Sequence, residues 1–506
     1  MQKADHNKTM RQEIPPSGER LQVGAVRAAT YSAWGWGGLS IAAIAVIPIL
    51  VALASGLELS FVAFPSLMVL LVSLWLGHKA ARTLDLSHLT ISGFWQICFL
   101  ATIYIPSFVV YSEGLDPYRG TFLFAVQGTC LMVPLGFWLT NLISGFRTCE
   151  IREYYDRPIA RTEGESGLGT TYVVFLVFAL GLTALYFKQA PEIALFEIFR
   201  NPVDWATYEA LRLTTFAALE SQLDYGYALL RGVLYPLLIL VGLGYYLRSR
   251  KRSWLAMFSV SAISGIVFAA LDAAKGPVSV ILMSAGFFIF LYKGGRIRKR
   301  TIALWGGLLL AFPLLVLITV LGGTSDAVLQ PALQALAHRV FVTDDIVAYD
   351  YFEIFPKQVE FLHGRSVQKI AWLTQRPFFD AGQYVFLDMS DTLGKYSEGD
   401  SAGGSFFAKF YADFGIPGVL IGGLLTGIIL QSIQIFLIRR RKTVLYLATY
   451  AFLFYVAFQI NGEALPSVLL SRGAIIALAF PWMVEKLSRF SSSFALLPQK
   501  TAQQST

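Results

Sequence analysis

The chain has 506 residues, of which 55% are hydrophobic and only 15% charged, with a formal net charge of +8. A soluble chain carries roughly a quarter of charged residues, so a soluble globular enzyme is excluded. The excess of Lys and Arg does not point to nucleic acid either, because it collects in short loops between apolar blocks, as in polytopic membrane proteins.

In chain order, residues 1–32 are polar and of mixed charge. They read as a cytoplasmic tail leading into an uncleaved first span. Apolar blocks of roughly membrane-crossing length follow at 33–57, 61–77, 91–111, 121–145, 171–187, 226–247, 253–271, 277–292, 301–321, 415–438, 443–460 and 466–484. The expected fold is all-α and polytopic, with about twelve transmembrane helices. Nine spans occupy 33–321, a large periplasmic loop containing helices occupies 322–414, three spans occupy 415–484, and a second cytoplasmic tail runs over 485–506.

Orientation follows from the loops. With the N-terminus inside, the inside loops are His78 to Thr90, Phe146 to Thr170, "RSRKR" from Arg248, "KGGRIRKR" from Lys293 and "RRRK" from Arg439, and each is basic. The outside loops carry Glu58, Glu113, Asp116, Glu192, Glu197 and Glu463. Two outside segments are long, 188–225 and 322–414, and long ordered loops usually carry function. Within the second, Leu333, Leu336, Val340, Phe341 and Ile346 fall at helical spacing, and Pro356 ends the helix. The Asp344–Asp345 pair on it reads as a solvated helix edge. Then "SAGGSFFAKFYADFGIPG" places Phe406, Phe407, Phe410 and Phe414 on a short helix at the membrane threshold. Gly415 ends this helix and Pro417 begins the next span.

The three cysteines, Cys98, Cys130 and Cys149, show no disulfide or Cys-x-x-Cys pattern. With few histidines, no P-loop and no His-Glu-x-x-His, no metal site and no cofactor are expected.

The chemistry-bearing residues are cations near the outer face. Arg231 lies about five residues inside its span, Lys275 at an outer junction, and Arg472 about six residues inside the last span. Each alone can snorkel to the interface or pair with Asp272 or Glu463. Three at one level on separate spans suit an anion. Arg339 is a fourth candidate, and the adjacent His338 is a candidate general base. Asp272, Glu353, Gly403, Gly404, Ser405 and Tyr411 are the candidate substrate-binding residues. Cations beside an aromatic, lipid-facing edge fit a lipid-linked diphosphate, whose phosphates arginine grips with two prongs.

The stretch "RVFVTDDIVAYDYFEIFPKQVEFLHGRS" followed by "GGSFFAKFYADFGIPGVLIGGLLTG" resembles the Wzy-type polysaccharide polymerases of bacterial envelopes. The shared pattern is an arginine-led helix, a Tyr-Phe-Glu-x-Phe-Pro-like ending, Gly-Gly-Ser-Phe, an aromatic Tyr, and Phe-Gly before a span. The close match covers Arg339 to Gly427. The resemblance implies a multi-pass protein of the bacterial inner membrane. It implies a metal-independent glycosyl transfer at the periplasmic face, from an undecaprenyl-diphosphate-linked oligosaccharide donor to a lipid-linked acceptor. A chain-length regulator and a flippase in the same membrane are the implied partners. Family members often carry an acid where this chain has Lys409, so that position is not a candidate base. Two other readings use the same lipids: a flippase or transporter, and an envelope glycan ligase. A transporter often shows inverted repeats and broken, paired helices, and neither is visible in the sequence.

Overall fold

In a computed structural model of the chain, the described residues are 64–114, 117–189, 193–200, 224–271, 275–296, 342–393 and 403–503, with isolated positions between them. Among them every regular element is a helix. The first expected span (33–57), most of the ninth (301–321) and most of residues 322–341 lie outside this set.

The helices are α1 (Phe64–Ala81), α2 (Ile91–Glu113), α3 (Tyr118–Ser144), α4 (Cys149–Asp156), α5 (Glu165–Gln189), α6 (Ala194–Arg200), α7 (Tyr225–Ser249), α8 (Arg252–Ala270) and α9 (Lys275–Tyr292). After the second long loop come α10 (Thr343–Ile354), α11 (Gln368–Leu373), α12 (Ala381–Leu393), α13 (Phe406–Arg439), α14 (Val444–Ile460), α15 (Leu465–Leu470) and α16 (Ala474–Gln503). Among the described residues, eight helical segments are long and apolar enough to cross a bilayer, the last being α15 and α16 taken together across their break. Two shorter apolar helices accompany them, most of α9 and α14. The chain is therefore an all-helical polytopic bundle, and ten of the expected spans fall on described helices.

Lipid-facing and core-facing surfaces separate as a bilayer requires. Val174, Val177 and Phe178 of α5 are well exposed. By contrast α14 is buried almost all round, which makes it the central helix. The most extensive helix pairing is α3 with α13. It rests on small residues: a β-carbon on Gly427 would stand 2.1 Å from Val133 O, and one on Gly136 2.5 Å from Leu424 O. Bare backbones meet there, as small residues permit in membrane bundles.

All five loops expected inside meet at one end. The Tyr155 hydroxyl donates to Leu89 O (2.5 Å), Ala160 N to Lys442 O (2.8 Å) and Arg248 Nη1 to Ala160 O (3.4 Å). Gly295 lies against Ser87 O. Lys442 is buried there, donating to Tyr155 O (2.9 Å) and Arg157 O (3.1 Å), and burial pushes its ammonium down to about 8. The loops expected outside meet at the opposite end: Leu195 N donates to Leu271 O (3.0 Å) and the Tyr225 hydroxyl to Leu470 O (3.1 Å).

Four local features depart from uninterrupted helices. Leu100–Tyr104 and Leu230–Leu234 are π turns, each ending two residues before a proline, Pro106 and Pro236. Proline cannot donate to the helical ladder and crowds the preceding turn, so the chain widens there. The expected span 466–484 is broken at Ser471–Gly473, where Gly473 takes a left-handed φ of 75°. The expected absence of broken helices is thus overturned. At Gly415 (φ 65°, ψ −156°) the helix beginning at Phe406 stops and the membrane segment starts, as the glycine and Pro417 predict.

Candidate functional site

The site is built where two helix interruptions touch. The π turn of α7 carries Arg231, and the break between α15 and α16 carries Arg472. A β-carbon on Gly473 would stand 2.3 Å from Val233 Cγ2 and 3.5 Å from Leu229 Cδ2. The two irregular segments therefore pack directly together. Irregular backbone at membrane depth is tolerated where it is buried or lines a polar cavity, and π turns are frequent at functional sites.

Arg472 makes a bidentate ion pair with Glu463, Nη2–Oε1 2.6 Å and Nε–Oε2 2.9 Å. Its side chain is still 54% exposed, against 25% for Glu463. The pairing reading of Arg472 is therefore observed, yet one side of the guanidinium remains open. Arg231, Arg472 and Glu463 all act electrostatically on Tyr455 of α14, with Gln459 one turn on. Glu463, Asp380 and Arg472 act on Lys409 of α13. Arg472 is thus in contact with Glu463, Lys409 lies within electrostatic reach of both, and Arg231 and Arg472 both act on Tyr455.

Lys409 is the cation the sequence reading passed over. Its signal was available: it is the one Lys or Arg between Lys395 and Arg439. Lys275 opens α9, which packs against the π turn of Arg231. Arg339 and Asp272 lie outside the described residues. His338 is exposed, with Nδ1 3.4 Å from Thr343 Oγ1. Among the described residues its side chain meets Thr343, at the start of α10, and not the cation group.

The loop residues divide. Gly403 is exposed, and a β-carbon on it would stand 3.2 Å from Gly462 O, beside Glu463. Gly404 has φ 57°, and a β-carbon there would meet the Tyr351 ring at 2.6 Å. Ser405 begins α13 with no side-chain cap. These three border the site. Tyr411 does not: it is 6% exposed, stacks on Phe352 at 3.9 Å and meets the Phe361 edge at 5.7 Å. Its part is to hold α10 on α13. Glu353 faces Asp350 on α10 rather than the cations, and burial, then Glu353, then Asp388 of α12 push the Asp350 carboxyl up to about 7.

The reading of Asp344 and Asp345 as one solvated edge is corrected. Asp344 is partly exposed, while Asp345 is wholly buried on the face of α10 turned to the bundle. Adjacent residues on a helix point about 100° apart, so a pair at the end of a docked helix splits between core and surface. Burial, reinforced by Asp344, raises the Asp345 carboxyl well above its ordinary range.

A groove of about 460 Å³ between α3 and α13 includes Thr140, Ser432, Arg439 and Arg440. It lies at the basic-loop end, away from this site. No family model, curated protein or solved structure matches the chain.

Proposed function

We propose that the chain polymerises lipid-linked oligosaccharide repeat units at the periplasmic face of the bacterial inner membrane. In this reading it is a metal-independent glycosyltransferase of the Wzy-like kind. The observation that carries the reading is the packing of the π turn that bears Arg231 on the helix break that bears Arg472, with Lys409 within electrostatic reach of Arg472, at the end opposite the basic loops. A prenyl-anchored diphosphate places its charge at such a depth, with its chain in lipid.

The chemistry asked of the site is substitution at a sugar carbon. A hydroxyl of the acceptor unit attacks the anomeric carbon of the donor glycan. The bond from that carbon to the phosphate oxygen breaks, and its electron pair leaves with the prenyl diphosphate. The hydroxyl proton passes to a base. Negative charge grows on the leaving diphosphate, and preorganised cations lower the barrier by stabilising it. Arg472 supplies a planar fork, oriented in advance by Glu463, and Lys409 and Arg231 supply further positive charge.

The test is the envelope glycan of a deletion strain. Single repeat units on the surface lipid, with the ladder of longer chains missing, support the polymerase. A normal ladder refutes it. The broken last span favours a second reading, because transporters build substrate sites at discontinuous helices. That reading requires outward-facing lipid-linked units to vanish in the deletion strain instead of accumulating.

A further inference from the structure

Beside the cations lies a group of buried polar side chains that find no hydrogen-bond partner among the described residues. Neither oxygen of Asp345 has a hydrogen-bond partner, nor does either amide atom of Asn461, nor the Ser405 hydroxyl. Asp345 and Ser405 are wholly buried, and Asn461 is 4% exposed. Their three segments abut. A β-carbon on Gly462 would stand 3.4 Å from Asp344 Oδ2, and one on Gly403 would stand 3.2 Å from Gly462 O. The first turn of α10, the 403–405 loop and the turn after α14 therefore form one junction, with Glu463 of the Arg472 pair next along the chain.

Leaving such atoms unpaired costs about 1–3 kcal/mol each. Buried polar groups without partners are rare in native structures, and each calls for an explanation. Apolar side chains of similar shape would pack here more favourably. The chemistry of the set narrows what it suits. Burial, then Asp344, favours the neutral form of Asp345, and in that form it offers one O–H donor and an acceptor. Serine offers a hydroxyl, and asparagine offers two N–H donors and an acceptor. The set is neutral and mixes donors with acceptors. That matches a polyol, whose hydroxyls each donate and accept. It does not match a phosphate, which needs the cations nearby. Gly403 is exposed and carries no side chain to obstruct approach.

We propose that this junction is a carbohydrate subsite, in which Asp345, Ser405 and Asn461 hold hydroxyls of the acceptor sugar beside the diphosphate held by Arg231, Lys409 and Arg472. It rests on the polymerase reading for the word acceptor, but not for the binding of sugar.

The test uses the full chain in lipid nanodiscs. Binding of trisaccharides ending in glucose, galactose or N-acetylglucosamine is measured by saturation-transfer NMR, alongside polymer synthesis from lipid-linked units. At least one trisaccharide should bind the wild type. Asp345→Leu and Asn461→Leu should each weaken that binding about tenfold, the value of one lost hydrogen bond of about 1.4 kcal/mol. Asp345→Asn, which keeps a donor and an acceptor, should bind within about threefold of wild type, or within about 0.7 kcal/mol. Thermal unfolding checks the fold, and Asp345→Leu should melt no lower than wild type. Unchanged binding in both leucine variants means that the junction holds ordered water only, and overturns the subsite. So does failure of all three trisaccharides to bind the wild type. Sugar binding lost in the leucine variants, with no polymer made by the wild type, sinks the polymerase reading and leaves the subsite standing.

Discussion

The Arg472 guanidinium closes on the Glu463 carboxylate through two nitrogens, with Nη2–Oε1 at 2.6 Å. Both lie at the end of the bundle opposite the basic loops, where the last span is broken. An exposed pair of this kind contributes little to stability, so its effect should appear in activity. Arg472→Ala should lower polymer synthesis about 10²-fold while single lipid-linked units persist. Glu463→Gln keeps an acceptor for the guanidinium and removes the competing charge. It should retain polymer within about tenfold of wild type and bind inorganic pyrophosphate more tightly. Equal loss in both variants would point to a purely structural pair.

Arg231 and Lys409 face the same centre from other helices. Arg231→Ala and Lys409→Met should each shorten or abolish the glycan ladder, and Arg231→Lys should restore part of it, since charge returns without the fork. Lys275→Ala, on the helix that packs against the π turn, should shorten it as well. Chains of normal length in all of these variants would remove the cation site from consideration.

Asp350 gives a pH dependence of defined sign. Its carboxyl is raised to about 7 in the folded chain by burial and by Glu353 and Asp388, against an ordinary value of 3.8. Between those values the folded state holds a proton that the unfolded state has lost. The Asp350 contribution to stability is therefore full below pH 4 and falls by roughly 1.4 kcal/mol per pH unit up to about pH 7. Hydrogen exchange of α10 and α12, corrected for intrinsic rates, should show easier opening at pH 7.5 than at pH 5. Asp350→Asn should flatten that difference.

Gly415 separates the interfacial helix from the membrane helix with φ 65° and ψ −156°, a region essentially closed to other residues. Alanine there would also bring its β-carbon to 3.1 Å from Phe361 Cζ. Gly415→Ala should destabilise the protein by about 1–3 kcal/mol, seen as a lower melting temperature in detergent. A melt equal to wild type would mean that the break is not required.

Part of this was legible in the sequence because it depends on local chemistry. Apolar blocks long enough to satisfy their own backbone in lipid must be helices, and basic loops sort to one side. The stop at Gly415 was legible too, where only glycine takes the required backbone angles without strain. The prolines at 106 and 236 marked where the π turns fall, but Pro134 sits in α3 without one, so the sequence alone did not decide them.

What the sequence by itself determined is an all-helical membrane bundle whose basic loops share one end, because helix formation and charge placement are decided residue by residue against lipid. The tertiary structure decided which cations meet. Nothing local tells Lys409 that Glu463 and Arg472 are its neighbours, or that the break at Ser471–Gly473 packs on the π turn of Arg231. Nor does it tell Asp345, in a run of polar residues, that it is the one turned inward. Those outcomes depend on how α10 docks on α3 and α13, and docking is set by side chains hundreds of residues apart.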